Sequence, residues 1–203
     1  MVNSKNMEFK PKEKLLKYLI ENKNPISIMQ ASGAIVMDYK NTYNLVGDLS
    51  ASGAIISEKI GNTTPIRINL FPNQEIYNTE KKRTEEFLSK NPKLKLIKED
   101  IETLGYPFMI VLIFGSYSKN NQVQGSDIDI CIISDNKEKT RELIEKFDLL
   151  SFKIEIHDFT IKEFVSMIEK NQNNLGHEII KNNIIFYGAE NYYSLISKWM
   201  KKE

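Results

Sequence analysis

Helical and strand-like hydrophobic patterns alternate along this chain. Residues 1–9 are polar and read as a loose lead-in. Pro11 opens a helix over residues 12–20, with Leu15, Leu16, Leu19 and Ile20 on one face and Asn24-Pro25 as its stop. Residues 27–34 read as a second, short helix with Ser27 as its cap, and 35–37 as a turn. Asp38 suits the cap of a third helix over 39–51, whose inner stripe is Thr42, Val46 (or Leu45) and Leu49, ended by Ser52-Gly53. Residues 54–60 and 66–70 alternate as strands around a turn at 61–65. Residues 71–78 read as a connection. A charged helix over 79–90 follows, anchored by Phe87 and Leu88, with Lys81-Lys82-Arg83 expected on a solvated face. Pro92 opens another helix carrying Leu94, Ile97, Ile101 and Leu104, stopped by Gly105-Tyr106-Pro107.

The apolar run from Phe108 to Phe114 has the length of one buried strand, and it stops at Gly115-Ser116. Ten residues separate Ser116 from Asp127, and Asp129 follows inside a second apolar run ending at Ile133. Strand side chains alternate, so Asp127 and Asp129 share a face about 7 Å apart, while Ile128, Ile130 and Ile132 take the other. Carboxylates on a strand that otherwise reads as core are expensive to bury unpaired. A cation between them resolves this, and hard oxygen ligands suit Mg2+. Gly115-Ser116 ends a strand before a short helix, where free backbone N–H groups and a hydroxyl can meet an oxyanion. Metal-binding aspartates opposite a phosphate turn imply a nucleoside triphosphate. Beyond this stretch, residues 137–150 read as a helix with Leu143, Ile144 and Phe147 inside, and 152–157 as a strand. Thr160 caps a helix with Ile161, Phe164, Val165 and Ile168 inward. A helix over 175–182, an extended segment at 184–187 and a closing helix over 189–202 with Tyr192, Tyr193, Leu195, Ile196 and Trp199 complete the chain.

Gly115-Ser116, ten residues, then Asp127-Ile128-Asp129 resembles the signature of the polymerase-beta-like nucleotidyltransferase superfamily, and especially its small, minimal members. The resemblance implies transfer of a nucleotidyl group, AMP from ATP for example, to an acceptor hydroxyl with two Mg2+ ions. It implies a third carboxylate on the next strand, which Glu155 matches; Asp158, just past that strand, is the runner-up. Gly115, Ser116 and Lys119 would hold phosphate. Small members often carry Ala-Arg-Gly after the Tyr, where this chain has Ser118-Lys119-Asn120, and Lys lacks the bidentate grip of Arg. His157 shares the face of Glu155 and reads as a strand-end polar residue. His177 reads as a surface residue, and Cys131 as packing.

The three helices and hairpin over residues 10–71 resemble a winged helix-turn-helix domain. On that resemblance the third helix enters the DNA major groove, presenting Lys40, Asn41, Tyr43 and Asn44. The wing offers Lys59, Asn62, Thr63, Thr64 and Arg67 to phosphates. Such a module also serves for dimerisation or protein docking, so a homodimer is a second use.

The whole therefore reads as an α+β chain: a winged helix over 1–72, then a small mixed-sheet nucleotidyltransferase fold over 79–203 with C-terminal helices. The 203 residues carry a net charge of +1. Residues 1–72 hold nine Lys/Arg against six Asp/Glu (+3), and 73–203 hold 19 against 21 (−2), so charge permits a DNA role for the first part without demanding one. The longest apolar run, seven residues, is too short to span a bilayer, and the single cysteine fits a reducing cytoplasm. The alternatives to an enzyme are a DNA-binding regulator, or an antitoxin-like protein whose nucleotidyltransferase fold only binds nucleotide or a toxin partner.

Overall fold

The computed structural model describes residues 8–61, 63–123, 125–170 and 173–200, with Trp199 and Met200 described by backbone alone. Residues 1–7, Asn62, the Trp199 side chain and the end of the predicted closing helix fall outside that description. The chain divides into two compact units, Met1–Arg83 and Thr84–Glu203.

In the first unit, α1 (Pro11–Asn22) buries Leu15, Leu16, Leu19 and Ile20, the face its periodicity marks. A two-residue strand β1 (Ile26–Ser27) leads into α2 (Ile28–Ile35). Ser27 accepts from Gln30 N at 3.2 Å while Gln30 Oε1 accepts from Ser27 N at 2.8 Å, a reciprocal capping box. Asp38 Oδ1 accepts from Asn41 N at 2.9 Å and starts α3 (Tyr39–Ala51), which buries Thr42, Val46 and Leu49. Strands β2 (Ile55–Ser57) and β3 (Pro65–Ile68) pair antiparallel, shorter than their alternation suggests, and β1 adds to the other side of β3. The sequence gives no sign of β1, because two residues carry no periodicity.

Helix α4 (Gln74–Lys90) begins before Thr79, so most of the stretch read as a connection is helical. The run Lys81-Lys82-Arg83 is not one solvated face. Arg83 is buried and donates through Nη1 to the buried Glu80, with Nε 3.4 Å from Glu21 Oε1, while Lys82 Nζ lies 2.7 Å from Glu13 Oε2. Charge alone does not tell a solvated Arg from one held between a carboxylate of its own helix, Glu80, and one of α1, Glu21.

In the second unit, a 3-10 turn at Pro92–Leu94 enters α5 (Lys95–Leu104), capped by Gly105 in the left-handed region. The sheet consists of β4 (Ile110–Ile113), β5 (Ile128–Ile133), β6 (Ile154–Phe159) and β7 (Ile184–Tyr187), in the order β6-β5-β4-β7. β4 is antiparallel to both β5 and β7, and β5 is parallel to β6. Between the strands lie α6 (Gly115–Ser118), the crossover helix α7 (Lys137–Phe147), α8 (Ile161–Ile168), α9 (Leu175–Lys181) and the closing α10 (Ala189–Met200). Val111, Ile113, Ile128, Ile130 and Ile132 form one core with Ile97 and Ile101 of α5 and Leu143 and Phe147 of α7. Alternation then sends Asp129 to the opposite face.

Removing Glu80 leaves the buried Arg83 guanidinium without its closest carboxylate, so Glu80→Ala is expected to destabilise the fold by about 3 kcal/mol. Lys81→Ala, on the exposed side of the same turn, should stay within about 0.5 kcal/mol. Denaturant melts of the two variants measure the difference; equal, small losses would refute the buried role of Glu80.

Candidate functional site

A corner where β4 ends builds the site. Phe114 N donates to Asp129 O at 3.0 Å, which locks the end of β4 to the start of β5. Gly115 then turns with φ +65°, and a Cβ there would collide with Asp129 Oδ2. Only glycine lets the carboxylate sit against this turn. The Ser116 backbone N–H beside that carboxylate favours its charged form.

The parallel register of β5 and β6 supplies the rest. Asp129 stands opposite Glu155, and Cys131 opposite His157. Ligand atoms of Asp129, Glu155 and His157 all lie within 4.8 Å of one another. His157 Nε2 is 3.2 Å from Glu155 Oε1, and its ring lies 5.4 Å from that of Phe114. Burial, and next the charge of Glu155, push the Asp129 carboxyl above its ordinary range; His157 and the Ser116 N–H act the other way. Among the described residues no Lys or Arg pairs with Asp129 or Glu155. Two carboxylates and an imidazole converging beside a glycine turn have the donor chemistry to hold a divalent cation.

The other residues singled out in the sequence are placed differently. Asp127 precedes β5 rather than lying in it; it is exposed, with Lys153 Nζ 3.9 Å away. It stands outside the tight cluster, although its charge still reaches Asp129. Lys119 Nζ pairs with Glu178 at 2.7 Å. Asp158 lies inside β6, not past it, and lines a crevice of about 300 Å³ with Lys137, Arg141 and Glu163 instead of joining Asp129. Cys131 is fully buried, and burial pushes its thiol up. His177 is half-buried, its Nδ1 3.1 Å from Asn174 Oδ1. His157, which the sequence presents as a strand-end polar residue, stands with Asp129 and Glu155 in the structure. The available signal was its spacing of two from Glu155, which places both on one face of a strand.

In the first unit, Lys40, Tyr43 and Asn44 are exposed on α3, and Lys59 is exposed beyond β2. Arg67 is half-buried on β3. Asn41 is exposed, but its side chain donates to Asp38 Oδ2 at 2.6 Å and belongs to the cap. Tyr39, absent from the predicted set, stacks on Tyr43 with ring centroids 6.4 Å apart.

The second unit thus carries a mixed sheet with a glycine turn beside acidic residues on adjacent strands. Residues 105–192 match the family described as polymerase beta, nucleotidyltransferase. A solved structure described as "Crystal structure of the toxin-antitoxin with AMP-PNP" is similar at 18% identity, covering 52% of this chain and 86% of that one, with a TM-score of 0.35. No curated protein matches. Among the described residues no helix is long and apolar enough to cross a membrane.

A carboxyl raised in the folded state favours the protonated fold. Ionisation of Asp129 therefore weakens the fold progressively as pH climbs from the ordinary value of 3.8 through the raised one. Asp129→Asn is expected to raise the melting temperature at neutral pH in chelator, with the gain vanishing below pH 3.8. Thermal melts across pH measure this; an unchanged or lowered midpoint at neutral pH would refute it.

Proposed function

We propose that this chain is a metal-dependent nucleotidyltransferase that moves a nucleoside monophosphate, AMP from ATP, onto an acceptor hydroxyl. The placement of Asp129 and Glu155 on adjacent strands, against the Gly115-Ser116 turn, carries this reading, within a region that matches the family. Asp127, Asp129 and Glu155 are the residues that would hold Mg2+, two ions in the fullest form. Bound there, the metal would neutralise charge on the attacking and leaving oxygens. Domains of this family typically use a nucleoside triphosphate and a divalent metal. The acceptor oxygen forms a bond to the α-phosphorus, the bond to pyrophosphate breaks, and the hydroxyl proton passes to Glu155. Gly115, Ser116 and Lys119 position the β- and γ-phosphates, so Lys119 exchanges Glu178 for phosphate. Positioning and charge neutralisation supply most of the rate.

Incubation with α-labelled ATP and Mg2+, with and without cell extract, tests the reading. Label is expected on a protein or RNA with the wild type, and its loss by at least about a hundredfold with Asp129→Ala. Equal labelling by the folded variant would overturn the assignment.

A second reading is favoured by the pairing of Lys119 with Glu178. On this reading the fold binds nucleotide or a toxin-like partner without transfer, as an antitoxin-like protein or regulator. ATP binding without label would select it.

The helix order and the β1-β3-β2 sheet support a winged helix in the first unit, with Lys40, Tyr43, Asn44, Lys59 and Arg67 meeting DNA. Those three cations give an expected slope of log affinity against log salt of about −3 on duplex DNA. Binding to a promoter fragment, titrated with salt, measures it; no binding, or no salt dependence, removes DNA from the proposal and leaves dimerisation or docking.

A further inference from the structure

We infer that His157 is a metal ligand, and that its imidazole turns the Asp129–Glu155 site towards first-row transition ions in preference to Mg2+. The inference rests on the metal-dependent reading above for what the ion does, but not for where it binds. Three observations carry it. Asp129, Glu155 and His157 each bring a ligand atom within 4.8 Å of the others, whereas Asp127 stands outside that group. The two carboxylates face each other with no Lys or Arg paired to either among the described residues, so His157 is the basic group between them. The imidazole is also held: β6 runs beside β5 in fixed register, and the Phe114 ring packs 5.4 Å from it. A ring placed by strand pairing and by an aromatic neighbour presents its nitrogen without a large ordering cost.

The donor set decides the metal. Mg2+ demands hard oxygen ligands and retains water, so a site of carboxylates alone suits it. An imidazole nitrogen adds little for Mg2+ but binds first-row transition ions well. The mixed set of two carboxylates and one imidazole therefore discriminates between ions by its nitrogen. A His that merely pairs with Glu155 would show no such discrimination, since removing it would alter the affinity for every divalent ion alike.

Mn2+ is the probe, because it is paramagnetic and also accepts carboxylate ligands. Pulsed EPR of the full-length, tag-free chain loaded with Mn2+ is expected to show 14N coupling to the metal. The chain holds two histidines, so the signal is assigned by substitution. His177→Ala should retain it. His157→Phe, which keeps an aromatic ring against Phe114, should abolish it. The same variant should weaken Mn2+ binding about tenfold while the Mg2+ Kd, measured by competition, moves less than about twofold. Absence of Mn2+ binding, absence of 14N coupling in the wild type, its survival in His157→Phe, or equal loss of both ions would overturn the inference. If His157→Phe fails to fold, the wild-type and His177→Ala spectra still decide. The label-transfer assay separates the two claims: transfer without nitrogen coupling sinks the ligand and leaves the enzyme, while coupling without transfer does the reverse.

Discussion

The parallel pairing of β5 with β6 is the constraint on which the site depends. Its register sets Asp129 beside Glu155 and Cys131 beside His157, so a slip of β6 by one residue would send Glu155 and His157 to the other face. Parallel strands require a crossover, and α7 supplies it while covering the apolar face with Leu143 and Phe147. The same hydrophobic burial that fixes Ile128, Ile130 and Ile132 therefore holds the carboxylates in place on the reverse side. The antiparallel neighbour β4 delivers the third component, because the Phe114 N to Asp129 O bond fixes where the chain can turn at Gly115.

This arrangement stores unfavourable electrostatics on a rigid frame. Asp129 is partly desolvated and faces the charge of Glu155, and one backbone N–H with one imidazole offsets only part of that. A fold selected for stability alone would place an apolar or amide side chain there. Such perturbed groups cluster at functional sites because a ligand can relieve the strain when it binds. The cation proposed here supplies that relief, which makes the loss of stability in the free protein the counterpart of its affinity for metal.

Much of the frame is legible in the residues, and the failures share a cause. The inner stripes of α1, α3 and α5, the caps at Ser27 and Asp38, and the strand around Ile128 follow from local periodicity and local hydrogen bonds. Gly115 and Asp129 were readable because turn chemistry and alternation act over a few residues. What local pattern does not encode is partnership at long sequence separation. Glu80 and Arg83 are buried beside α1, β1 is a pair of residues recruited by β3, and α4 starts within a stretch rich in Asn and Pro. Asp158 shows the limit of boundaries: β6 runs two residues beyond His157, and that extension places Asp158 on the face away from Asp129.

The ion pairs around the site bear on how catalysis and simple binding are weighed. Lys119 is held by Glu178 and Lys153 by Asp127, and all four side chains are at least a third exposed. Exposed pairs of this kind contribute only about 0–1 kcal/mol, since water screens them and ordering two long side chains offsets the attraction. A triphosphate brings several charges and charge-assisted hydrogen bonds worth more than one such pair. Lys119 can therefore leave Glu178 for phosphate at little cost. The pair describes the resting state of the side chain and is not a barrier to its proposed role. Asp129 lacks that freedom: it is half-buried and confined by the glycine turn and the strand register.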